Sequence, residues 1–186
     1  NRYGLSDLNM AIFRLFSGLH AVSCGVLPSG FLGVRRLRNR RIDTLFNELR
    51  QFRTSHVIIW ANYLESIAAL NEALPTAFPQ IPVYTLHGRV PATERAAKID
   101  LWKKRGGVLV ATQGTGGYGL TLTESHQVFF YSENWRYALR LQAEDRCYRI
   151  GQKDSVCYVT LQGESRFDER IRSALARKAD ALEELK

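Results

Sequence analysis

QAEDRCYRIGQ, residues 142–152, is the stretch from which the rest of the chain is read. As a helix it places Gln142, Arg146 and Arg149 at i, i+4 and i+7, on one face. Two arginines on one face suit a phosphate. Each guanidinium offers a rigid fork of donors and stays charged at any ordinary pH. Asp145 stands four residues before Arg149, where it can hold that side chain in one rotamer, and Gly151 supplies the helix stop. The same residues also fit an exposed helix with one Asp–Arg pair worth about 0.2–0.5 kcal/mol. The surrounding chain decides between the two readings.

Upstream the chain reads VFFYSENW (128–135), and before that GVLVATQGTGGYGLTL (107–122). The order is buried strand, glycine-rich turn, buried strand, tryptophan, arginine-bearing helix. Further out, HVIIWA (56–61) is a continuous apolar run, as expected of a strand covered on both faces. VYTLHG (83–88), VLVAT (108–112), VFFYS (128–132) and VCYVTLQ (156–162) read as the other strands. A helix carrying Leu64, Ile67, Ala68 and Leu74 is expected to stop at Pro75. Another has Pro91 in its first position and Gly106-Gly107 at its end. A third lies between the last two strands. A final helix over about 165–185 carries Phe167, Ile171, Leu175, Leu182 and Leu185.

Ahead of this pattern, Leu5, Leu8, Ile12, Leu15, Phe16 and Leu19 predict a helix over 5–22. Gly25, Pro28, Gly30 and Gly33 mark a loop over 24–39. Arginines at 35, 36, 38, 40 and 41 then lead into an amphipathic helix with Ile42, Leu45, Phe46, Leu49 and Phe52. That run reads as a solvated charge cluster or as a track for phosphates. Strands alternating with helices predict an α/β fold with three α/β/α layers and a mostly parallel sheet. Two regions are expected: an N-terminal helix and basic loop over 1–39, and one α/β domain over 40–186. Ligands of such sheets bind beyond the carboxyl ends of the strands. Thr112, the glycine run, Ser132 to Trp135 and the loop after Gly88 fall at that edge.

These motifs in this order resemble the second (C-terminal) RecA-like lobe of the superfamily-two helicase-like ATPases, most closely the Swi/Snf-type branch. Arg149-Ile150-Gly151-Gln152 matches the end of that branch's last motif. Thr112 with Gly116 to Leu122 matches a Thr followed by Gly-Gly-x-Gly-Leu-x-Leu. The resemblance covers roughly residues 40–175. It implies a RecA-like helicase C-terminal domain that works as part of an ATP-dependent DNA helicase or translocase. ATP and Mg²⁺ are then held mainly by an N-terminal RecA-like lobe of the same polypeptide, and double-stranded DNA is the partner. Arg146 and Arg149 are implied as catalytic arginine fingers. Gln142, Gly117 and Gly119 are implied as nucleotide-binding, and Thr112, Thr115, Gly116, Arg89 and Trp135 as DNA-binding. No metal ligand is implied in this lobe.

The resemblance has departures. Between Thr112 and Gly116 the chain has Gln113-Gly114-Thr115, one residue more than the family pattern, so either Thr112 or Thr115 takes the hydroxyl role. Asn62 stands where the family often has Gln or His, as a supporting polar residue or an ordinary lead into the next helix. Arg89 meets a phosphate or faces water. Arg95 reads as a structural residue, and Trp135 as a core residue or a DNA neighbour. Gln152 favours the DNA-translocating branch over RNA helicases, which usually carry arginine there. An RNA helicase lobe and a non-catalytic nucleic-acid-binding module of the same fold remain the alternatives. There is no GxxxxGK[ST] loop, and no acidic motif after a strand to hold Mg²⁺. Asp168-Glu169-Arg170-Ile171 falls in the amphipathic final helix instead. The isolated chain is therefore expected not to hydrolyse ATP.

Composition is consistent with this. With 45% hydrophobic and 24% charged residues, the chain is globular rather than disordered or fibrous. A formal net charge of +8 fits a polyanionic partner, and equally a basic protein without one. Cys24, Cys147 and Cys157 form no CxxC pair and are odd in number, which fits free thiols in a reducing, intracellular compartment. The four histidines lack metal-ligand spacing. Arg14 and His20 interrupt the apolar stretch 8–28, so no membrane span is expected. The chain begins at Asn1 and reads as a piece of a longer polypeptide.

Overall fold

The apolar runs do become strands covered on both faces, in a computed structural model that describes residues 2–27, 35–51, 55–149, 154–163 and 166–183. The strands are β3 (His56–Trp60), β4 (Val83–Leu86), β5 (Gly107–Ala111), β6 (Gln127–Phe130) and β7 (Cys157–Thr160). They form one sheet in the order β4-β5-β3-β6-β7, every pair parallel. His56 stands opposite Gly107, and Val57 opposite Val108 and Gln127.

Alternation along each strand divides the core in two. Val57, Ile59, Val108, Val110 and Phe129 face α2 (Arg40–Gln51) and α3 (Leu64–Ala77), meeting Leu45, Ile67, Leu70 and Leu74. Ile58, Trp60, Leu109, Val128 and Phe130 face α4 (Ala92–Arg105) and α5 (Tyr137–Cys147), meeting Ile99, Trp102, Ala143 and Cys147. Both strand faces are thus apolar, which is why the runs show no polar alternation. The architecture is the expected RecA-like three-layer α/β/α domain.

Outside the sheet, α1 (Arg2–Ser23) packs on α6 (Arg166–Glu183). A buried ionic cluster ties both to α2. Arg41 donates to the carbonyls of Tyr131 (3.1 Å) and Leu161 (2.7 Å) and to Asp168 Oδ2 (2.5 Å). Asp168 Oδ1 lies 3.7 Å from His20 Nε2, and His20 Nδ1 lies 2.9 Å from the Tyr63 hydroxyl. The Gly163 N–H also donates to Asp168 Oδ2, and a Cβ at Gly163 would come within 2.9 Å of both Arg41 Nη2 and that oxygen.

Several expectations are corrected. The loop over 24–39 contains a short antiparallel pair, β1 (Val26–Leu27) with β2 (Arg35–Arg36). Two residues per strand are too few for alternation to register. α3 does not stop at Pro75 but runs to Ala77. Pro75 lies in the last turn, where its missing N–H costs one hydrogen bond, and Phe78 N–H closes the end on Leu74 O at 2.8 Å. Pro91 caps α4 rather than opening it. The arginine run is neither uniformly solvated nor a continuous track, because Arg41 is buried in the ion cluster and Arg36 pairs with Glu72. Finally, α5 ends at Cys147, where Tyr148 N–H bonds to Glu144 O at 2.9 Å. Arg149 therefore lies beyond the helix and not on a shared face with Gln142 and Arg146. Ile150, Gly151 and Gln152 lie outside the described residues, as do Pro28, Gly30, Gly33, Phe52 and Leu185.

Candidate functional site

The carboxyl end of β5 runs into a 3-10 turn, Gln113–Tyr118, which contains Gly116 and Gly117. Thr112 caps the turn, and its N–H bonds to Leu86 O at 3.1 Å. The Thr112 and Thr115 hydroxyls share a short hydrogen bond. Thr115 is buried and Thr112 half-buried, so Thr112 is the more accessible of the two. Gly119 ends the turn at φ +68°, with nothing within 4 Å of where a Cβ would stand. Backbone conformation, not space, therefore calls for glycine there.

After Gly119 the chain runs back along α5, and the two arginines hold it. Leu122 N–H donates to Arg146 O at 2.8 Å. Arg146 Nη1 approaches Leu120 O at 3.5 Å, and its buried Nε has no partner among the described residues. Arg149 Nη1 donates to Thr121 Oγ1 at 3.0 Å, and its side chain is exposed. No ion pair joins Asp145 to Arg149 among the described residues, so the expected rotamer lock is replaced by Thr121. Gln142 is exposed on α5, one turn before Arg146. The two guanidinium groups sit on residues 120 and 121, and the Arg146 carbonyl takes Leu122. They keep donors beyond those committed here, which suits an oxyanion.

The neighbouring strand ends are cross-linked. Asn62 N–H donates to Ser132 Oγ at 2.7 Å, and Asn134 Nδ2 donates to Asn62 Oδ1 at 2.6 Å. Asn62 thus splints the loops after β3 and β6. Arg95 Nε donates to Val90 O at 2.7 Å, fixing the turn after β4. Arg89 is exposed in that turn. His87 beside it is held below its ordinary pKa by burial and by the charges of Lys98, Arg89 and Arg95. Trp135 is half-buried. It meets Phe16 of α1 edge-on at 6.3 Å, and its carbonyl accepts from Lys178 Nζ of α6 at 2.9 Å.

Arg140 is the residue that the sequence did not flag. Its guanidinium lies 3.5 Å from the Phe130 ring centroid and donates to Glu133, to Glu144 (2.5 Å) and to Thr160 (3.1 Å). Burial pushes the Glu133 carboxyl above its ordinary pKa, opposed by the Arg140 charge and the Thr160 hydrogen bond. This knot fixes α5 over the ends of β6 and β7. The i, i+4 spacing of Arg140 and Glu144 was the available signal; the link to Glu133 needs the fold. Among the described residues no His, Cys, Asp and Glu cluster could hold a metal. No helix there is long and apolar enough to cross a membrane.

A parallel sheet of this order, with an arginine-bearing helix laid on a glycine-rich turn, defines a RecA-like helicase lobe. The chain belongs to the family described as "Helicase conserved C-terminal domain", whose model matches residues 40–151, more than half of its length. It is similar to the chromatin-remodeling ATPase INO80 of Cryptococcus neoformans var. neoformans serotype D (strain B-3501A), 28% identical over 155 residues, covering 82% of this chain and 9% of that protein. It is also similar to the DNA repair protein RAD5 of Gibberella zeae, 27% identical over 144 residues, covering 74% of this chain and 12% of that one. Among solved structures, the C-terminal part of the Fun30 ATPase domain superposes with a TM-score of 0.66 at 23% identity, covering 73% of this chain and 44% of that chain. The chain spans about a tenth of the length of the two curated relatives. The family and these relatives agree with the second RecA-like lobe of Swi/Snf-type helicase-like ATPases that the sequence motifs resemble.

Proposed function

We propose that this lobe serves an ATP-dependent translocase or helicase acting on double-stranded DNA. In this reading residues 40–186 form the working lobe and residues 1–39 lead into it. ATP and Mg²⁺ sit mainly on an N-terminal lobe, and Mg²⁺ there neutralises phosphate charge. Closure of the two lobes brings Arg146 and Arg149 to the transferring phosphoryl group. Gln142, Gly117 and Gly119 line the nucleotide. Thr112, Thr115, Gly116, Arg89 and Trp135 lie along the DNA backbone. The free thiols suit a reducing, intracellular compartment.

The observation that carries the reading is the grip of both arginines on residues 120–122, directly after the glycine run. One unit then couples a phosphate sensor to a backbone-contacting turn. An arginine that acts only on cleft closure contributes to turnover rather than to ground-state binding. The test uses a polypeptide carrying both lobes, with steady-state ATPase at saturating duplex DNA beside nucleotide binding. Arg146→Ala and Arg149→Ala should each lower kcat about 10³-fold, the low end for arginine fingers, with nucleotide affinity nearly unchanged. Near wild-type kcat in both variants would make them surface residues and end the proposal. The lobe by itself should show no ATPase above background; robust metal-dependent turnover would count against a half-site.

A further inference from the structure

α1 leaves much of its apolar surface uncovered. Phe13 and Leu15 are 61% exposed, Met10 53% and Ile12 44%. A groove of about 680 Å³ runs between α1 and α6, within the usual size of ligand sites. Ile12, Phe13 and Phe16 of α1, Trp135 and Ala174 of α6 give it an apolar lining. The lining is organised: the Phe16 ring stands edge-on to Trp135 and to Phe167, at 6.3 and 5.8 Å. Arg170 and Arg177 edge the α6 side with one carboxylate, Glu169. The two arginines are seven residues apart, two helical turns along the groove. Arg170 Cζ lies 5.9 Å from the Phe16 ring centroid. Among the described residues no ion pair joins either arginine to Glu169. Aromatic rings and arginines around an apolar centre are the composition of a binding hot spot.

We infer that this groove receives an acidic amphipathic helix of a partner protein. Its apolar side chains at i, i+3, i+4 and i+7 rest on Phe13, Phe16 and Trp135, and its flanking carboxylates meet Arg170 and Arg177. Charge complementarity selects this occupant. A second copy would present the same excess of arginine, in a chain of net charge +8, and like charges would meet across the seam. Duplex DNA would set phosphates against Ile12 and Phe13 and leave the apolar surface unsatisfied.

Two synthetic peptides test this on the 186-residue chain. Each is about 18 residues, long enough for appreciable helix. Both carry the same leucine stripe, one flanked by glutamates and the other by lysines. Fluorescence anisotropy of labelled peptide gives affinity. Tryptophan emission gives location, because Trp60 and Trp102 are fully buried and only Trp135 is half-buried. The glutamate peptide should bind at least about tenfold more tightly than the lysine peptide, a difference of about 1.4 kcal/mol, and shift the emission to the blue. The double variant Arg170→Glu/Arg177→Glu should reverse the preference. Phe13→Asp should abolish binding with an unchanged circular dichroism spectrum, since that ring is largely exposed. Equal binding of both peptides, or none, overturns the proposal. So does a dimer that Phe13→Asp converts to monomer.

Discussion

Arg149 and Thr121 are joined by a single hydrogen bond of 3.0 Å, and that bond separates two roles usually merged. Under the proposed function the arginine carries charge, and the threonine sets where that charge waits. In a two-lobe polypeptide, Thr121→Ala should lower kcat by about fivefold, the equivalent of about 1 kcal/mol of lost orientation. Nucleotide affinity should stay unchanged. Arg149→Lys should do nearly as badly as Arg149→Ala, because an ammonium is a point charge without the planar fork. The measurement is DNA-stimulated ATPase for the three variants side by side. If Thr121→Ala matches wild type while Arg149→Ala fails, the position of Arg149 is set by something other than this contact. Asp145→Ala should be silent, since Asp145 makes no ion pair to Arg149 among the described residues.

Elements in this fold are joined by buried charge as well as by apolar packing. His20, Arg41 and Asp168 come from α1, α2 and α6. Burial alone would lower the His20 pKa, but the Asp168 carboxylate 3.7 Å away and Cys24 raise it from 6.5 to about 9. Burial opposes ionisation of Asp168 too, yet His20 and Arg41 hold its carboxyl below 3.8. A raised histidine pKa means that the folded state holds the proton more tightly. Its stabilisation is complete below pH 6.5 and is lost as pH rises through about 9. The carboxyl contributes above pH 3.8 and is lost as pH falls further. Thermal melts should therefore show stability declining from pH 6.5 to 9, and His20→Gln should flatten that limb. An unchanged limb would show that His20 is neutral in the folded chain. Asp168→Ala should cost about 3–5 kcal/mol, the penalty for leaving a buried charge uncompensated.

The same cluster shows where sequence reading stops. Runs such as HVIIW and GVLVA announce buried parallel strands, because a strand covered on both faces has no polar alternation to hide. The places of Thr112 and Gly119 at a strand-end turn were legible because such a turn and a left-handed glycine leave local marks. The partner of Arg41 lies 127 residues away, and no local pattern encodes it. The end of α5 at Cys147 was also illegible. Gly151 looked like the stop, but the helix closes on Tyr148, before any glycine. Arg140 escaped because its main partner, Glu133, belongs to another element.

For the molecule as a whole, the charge of +8 and the exposed Arg89 and Arg149 favour contact with phosphates over reading of bases. DNA binding by the lobe should be weak and independent of sequence. Its log K should fall with log salt at about 0.9 per phosphate neutralised on duplex DNA. Titration of a labelled duplex at several salt concentrations measures the slope. A flat profile, or a clear preference for one base sequence, would place the binding elsewhere than the phosphate backbone.

The His20–Arg41–Asp168 cluster also has a temporal side. The ribosome makes α1 before the sheet, yet Asp168, which ties α1 to α2, follows Arg41 by 127 residues. At about 5–20 residues per second those residues alone take roughly 6–25 s, and α1, which precedes Arg41, waits longer still for its anchor to be translated. Throughout that interval its apolar surface is open to chaperones and to other nascent chains. Vectorial synthesis thus makes the strands after α1 and docks that helix only once α6 has emerged.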